Sequence, residues 1–123
     1  MPSEIREQLV ADWIVFQRTP ETSPEYENRR QVVFEIDALC QQDPEQAWHF
    51  ILEVLAREPD TNILGVLAAG PFEDLLEHHG AALVERVESL ASRNERFRWL
   101  LRMLYQSVPE HLWVRIKRAA ERP

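Results

Sequence analysis

Ile63-Leu64-Gly65-Val66-Leu67-Ala68-Ala69-Gly70-Pro71-Phe72-Glu73-Asp74-Leu75-Leu76-Glu77-His78-His79-Gly80 is the stretch on which the fold turns. Its first part is rich in small residues (Gly65, Ala68, Ala69), which let a second backbone come close, so it reads as a buried helix over 61–69. Gly70-Pro71 reads as a turn that puts Pro71 at the first position of the next helix, where its missing N–H costs nothing. That helix, 71–79, opens on Glu73 and Asp74 near the positive end of its dipole. It closes on His78 and His79 near the negative end. Gly80 reads as its stop signal.

Outward from this stretch the apolar residues keep a helical spacing of three and four. Leu9, Trp13 and Phe16 do so, as do Val33, Ile36, Leu39 and Cys40. Trp48, Ile51, Leu52 and Leu55 follow, then Leu83, Val87 and Leu90, then Phe97, Leu100, Leu101 and Leu104. No sustained period-two run is bounded by turn residues, so strands are not expected. The reading is an all-α chain, one domain over 1–123. About eight short helices, at 3–18, 24–42, 44–57, 61–69, 71–79, 81–92, 94–107 and 109–121, form a compact, HEAT-like helical stack. Ser23-Pro24 and Asp43-Pro44 read as cap and first helical residue, and Asp43 with Gln46 resembles a capping box. Arg18 to Tyr26 reads as the one long loop. The expected core is Trp13, Phe16, Val33, Ile36, Trp48, Ile51, Leu52, Leu55, Leu67, Leu75, Leu76, Val87, Phe97, Leu101, Leu104 and Trp113.

Composition narrows the class. At 123 residues with 45% hydrophobic and 28% charged, the chain has globular proportions, which excludes disorder. The longest uncharged stretch, Thr61 to Phe72, falls short of the ~20 apolar residues a membrane span needs. Met1 to Val10 carries Glu4, Arg6 and Glu7, so no signal peptide is expected. Cys40 is the only cysteine, which excludes an intramolecular disulfide and fits a reducing cytoplasm; it reads as a small core residue.

The run Leu67 to Leu76, followed by His79-Gly80, resembles the core signature of a family of small uncharacterised bacterial proteins, LAAGPxEDLLxHHG-like in form. The ending, with Arg96-Phe97-Arg98 and Pro109 to Ile116 including Trp113, is similar to theirs. The resemblance covers roughly the last two-thirds of the chain. It implies a shared helical fold and supplies no catalytic residues.

Glu73, Asp74, Glu77, His78 and His79 are the candidate binding residues. Asp74 and His78 stand four apart on one helical face with Glu77 beside them. A carboxylate and an imidazole so placed can ligate a divalent metal or act as a base and its orienter. A zinc site wants three or four ligands, and His49 and His111 stand on other helices, so neither a metal nor another cofactor is expected. The plainer reading is charge complementing the dipole, with His79 hydrogen-bonded to a neighbouring helix. No glycine-rich phosphate loop, G-x-S-x-G, H-E-x-x-H or C-x-x-C occurs.

The net charge of −7 is unevenly spread. Acids outnumber bases 13 to 5 over 1–62 and 5 to 1 over 63–92, while bases lead 8 to 3 over 93–123. Arg93, Arg96, Arg98, Arg102, Arg115, Lys117, Arg118 and Arg122, beside Phe97 and Trp99, could meet phosphates and bases. An acidic chain repels a polyanion, so nucleic acid is not expected as a partner. Glu4, Glu7, Asp12, Glu25, Glu27, Glu35, Asp37, Glu45 and Glu53 instead suit a basic protein surface. The favoured function is therefore a non-enzymatic protein-interaction module, immunity-, antitoxin- or adaptor-like, as monomer or homodimer. The alternative is a small metal-dependent or acid–base hydrolase built on Asp74, Glu77, His78 and His79.

Overall fold

The computed structural model describes residues 1–121 and is helical, with no strand among them. The elements are α1 (Ser3–Gln17), α2 (Tyr26–Arg29), α3 (Gln31–Gln42), α4 (Pro44–Arg57), α5 (Thr61–Leu67), a π-helical turn (Ala68–Phe72), α6 (Glu73–Ala91), α7 (Glu95–Arg102) and α8 (Glu110–Ala120). Among the described residues, no helix is long and apolar enough to cross a membrane.

Local chemistry sets the starts of α4, α5 and α7. Asp43 Oδ1 accepts from Gln46 N at 3.2 Å with Pro44 in the first turn, as the sequence pattern indicates. Asp60 and Asn94, which sequence reading passed over, cap α5 and α7 through Ile63 N (3.4 Å) and Phe97 N (2.9 Å). Each oxygen takes up an N–H that its helix leaves without a partner.

The decisive stretch departs from its expected form. Gly70-Pro71 does not end a helix. The chain widens by one residue into a π turn, and Glu73 N reaches back five residues to Ala68 O. A proline inside an α-helix removes a hydrogen bond and clashes with the preceding turn, and the wider turn absorbs both. Helix α6 then runs past Gly80, bent at His79 (φ −136°, ψ 16°). Gly80 does not have positive φ, so it is not a left-handed cap. Its role is space: a Cβ there would lie 2.9 Å from Val108 Cγ1. The helix expected over 24–42 is divided at Arg30, and the one expected over 94–107 stops at Arg102. The residues up to Pro109 form a loop, as a residue preceding proline disfavours helix.

Burial follows one continuous cluster. Helix α6 packs on α3, α4, α7 and α8, while α1 packs on α3 and α4. A central helix with that many neighbours differs from a strict solenoid, in which each unit meets only the next. Trp48, Phe72 and Phe97 make a three-ring cluster, with centroids 5.7–6.4 Å apart, that joins α4, the π turn and α7. Of the expected core, Phe16, Val33, Leu52 and Trp113 are only partly buried. Phe50 and Phe72 are fully buried and were not anticipated. The small-residue helix is one-sided: Leu64, Leu67 and Ala68 are buried, Val66 and Ala69 exposed.

Trp48→Ala removes a ring that touches both other aromatics and should cost about 3–5 kcal/mol. Leu76→Ala should cost about 2–5 kcal/mol, and Gly80→Ala about 1–3 kcal/mol through overpacking against Val108. Urea unfolding measures all three, and wild-type midpoints would show the core to be misassigned.

Candidate functional site

The widened turn sets the angular position of the first turn of α6, and with it the candidate residues. Leu75 and Leu76 face the core, while Asp74, Glu77 and His78 face outward. One ligand atom from each of these three lies within 4.8 Å of the other two. His78 Nδ1 donates to Asp74 O at 2.9 Å and stands 3.3 Å from Asp74 Oδ1. Glu73 and His79, grouped with them in the sequence, point elsewhere. Glu73 Oε2 accepts from Tyr105 N at 2.9 Å, and His79 Nε2 pairs with Gln41 O of α3 at 2.9 Å. Both tie α6 to neighbouring segments.

Helix α3 brings a further acid to this edge. Asp37 has a carboxyl raised above its ordinary value by desolvation and then by the charge of Asp74. Cys40, one turn on, is fully buried and bonds Pro71 O at 3.3 Å. Burial, reinforced by Asp74 and Asp37, pushes its thiol up to about 12. Such a thiol is a packing residue that braces the π turn, not a nucleophile.

The outer face of α3 exposes Gln31, Phe34, Ala38 and Gln41, with Phe34 at 55% exposure. Glu35 flanks it on the α1 side, in a cleft of about 320 Å³ lined also by Asp12, Val15, Arg29 and Val32. Asp37 flanks it on the α6 side. Glu35 and Asp37 have no cationic partner among the described residues. Glu53 and Glu45 of the expected field are spent internally. Arg6 holds Glu53 at 2.6 Å, and Arg86 holds Glu45 at 2.9 Å, keeping that carboxyl below its usual value.

The arginine-rich end closes helices. Arg96 Nε donates to Leu55 O at 2.7 Å and its Nη2 to Glu58 O, at the end of α4. Arg98 donates to Ala91 O at 2.7 Å, ending α6, and Arg102 to Ala120 O at 3.0 Å, ending α8. Each places a cation on the negative end of a helix dipole and satisfies a terminal carbonyl. Arg115 forks onto both oxygens of Glu88. Arg122 lies outside the described residues. Glu58, 2% exposed, takes Arg18 Nη2 on both carboxylate oxygens and so ties the end of α1 to α4. No signal in the sequence marks it.

These features define a small all-helical protein with an acidic face on α1, α3 and the start of α6. The chain belongs to a family of unknown function (DUF6869), matched over residues 19–123, a span that begins just after α1. No curated protein and no solved structure matches it.

Two outcomes follow from the titration states. A disulfide thiol reagent at pH 8 should leave Cys40 unmodified in folded protein and react promptly in denaturant, with fast native reaction disproving the buried thiol. The folded state holds the Asp37 proton more tightly than the unfolded chain. Its contribution is therefore present below pH 3.8 and lost as pH rises through the raised value. Asp37→Asn should then raise the neutral-pH Tm and flatten its decline above pH 4, and an unchanged melting profile would contradict the assigned repulsion.

Proposed function

We propose that the chain is a bacterial, cytoplasmic protein-interaction module that acts without catalysis and docks a basic protein partner, as monomer or homodimer, in the manner of an immunity protein, antitoxin or adaptor. The observation that carries this reading is Phe34, a large apolar ring 55% exposed on an acidic face. Partly buried aromatics ringed by complementary charge are the usual anchors of an interface. Arg30 already rests its guanidinium 5.8 Å from the Phe34 ring, which illustrates the group this face accepts. Glu35, Asp37, Asp12 and Asp74 supply the field, and Val15, 45% exposed, extends the apolar strip. The single reduced, buried Cys40 supports the cytoplasmic placement.

The other readings have less behind them. For nucleic acid, Arg96, Arg98 and Arg102 are committed to helix ends. For a hydrolase, His79 is turned to Gln41, and the cleft beside α1 is lined by residues other than the candidate four.

Capture from the native host with wild type, Phe34→Ala and the double variant Glu35→Lys/Asp37→Lys tests the proposal. Exposed charge attraction is screened over about 8–10 Å at physiological salt. A basic protein held at low salt, released at high salt and lost from both variants is the expected result. Undiminished capture by the double variant overturns it.

A further inference from the structure

We propose that Asp74, Glu77 and His78 form a binding site for a divalent transition-metal cation of the zinc or manganese class. This goes beyond the docking role and does not depend on it. The geometry is the first support. One donor atom from each of the three residues lies within 4.8 Å of the others. Metal–ligand bonds of about 2.0–2.2 Å bridge donors up to roughly 4.4 Å apart, so small rotamer shifts close the site. The i and i+4 spacing of Asp74 and His78 is the one by which a helix offers two ligands to one ion.

The imidazole is already oriented. Nδ1 donates to Asp74 O at 2.9 Å, and in the tautomer that makes this bond Nε2 carries the free electron pair. Metal-binding histidines are typically held this way, the other ring N–H bonded to a carbonyl or carboxylate. The helix beneath is fixed by Leu75 and Leu76, 0% and 1% exposed. The site is therefore half outward and half anchored, with Asp74 and His78 side chains 25% and 39% exposed.

Charge is the second, independent support. Asp74 and Glu77 share one turn, and among the described residues neither pairs with an arginine or lysine. Glu45 and Glu88, by contrast, are held by Arg86 and Arg115. A divalent cation supplies the missing counter-charge. Carboxylate and imidazole donors together favour zinc, manganese, cobalt or nickel over copper(I), which selects thiolates, and Cys40 is buried away from solvent.

Calorimetric titration of zinc chloride into the full chain tests the site, with cobalt(II) absorption as a second readout of coordination. One ion per chain is expected. His78→Ala and Asp74→Asn should each weaken binding by at least the roughly 10–100-fold that losing an outer-shell partner costs, and His79→Ala should leave it unchanged. Unchanged melting curves of His78→Ala and Glu77→Gln separate lost ligands from lost fold, since both side chains are exposed. No binding to wild type, or binding that survives His78→Ala and disappears in His49→Ala or His111→Ala, overturns the proposal.

Discussion

Pro71 has no N–H to give its helix, and the chain accommodates it by adding a residue to one turn. Everything around the candidate site depends on that widening. An α-helix advances about 100° per residue, so one extra residue rotates all that follows by the same amount. Phe72 is thereby directed into the core against Trp48 and Phe97, and Leu75 and Leu76 follow it. Asp74, Glu77 and His78 are left on the outside together. Cys40, from α3, steadies the turn by its bond to Pro71 O. Its deep burial suppresses reactivity and makes the thiol a brace.

Charge in this molecule does two jobs that net charge conceals. Arginines of α7 terminate α4, α6 and α8, so much of the basic end is spent on helix dipoles within the fold. Acids on α4 and α6 pair with arginines across helices. Where α3 meets α1 and α6, Asp12, Glu35, Asp37 and Asp74 make no salt bridge to an arginine or lysine among the described residues. The raised carboxyl of Asp37 is the local sign of that imbalance, which a basic surface or a metal cation would relieve.

The two proposals rest on adjacent parts of one face and on different chemistry. Docking uses the ring of Phe34 with long-range attraction, which tolerates imprecise placement. Metal binding uses three donors held to within ångströms on one helical turn. The bend at His79 and the bond from its ring to Gln41 lock α6 to α3 between them. Both parts are thus held in fixed relation by the same helix contact.

Periodicity determined that the chain is helical and which side of most helices is buried, and the Asp43-Pro44 cap where α4 begins, because these depend on residues close in the chain. The candidate residues Asp74, Glu77 and His78 were legible for the same reason, as neighbours on one turn. Glu73 and His79 shared the sequence cluster but left it in space, because their partners, Tyr105 and Gln41, are remote in the chain. Gly70-Pro71 and Gly80 carry ordinary breaker signals, yet neither breaks the run. One is absorbed by a π turn braced from α3, and the other makes room for Val108. The exposure of Phe34, the burial of Glu58 and the arginines on distant helix ends were likewise settled only by packing, since each depends on backbone or side chains brought close by the tertiary fold.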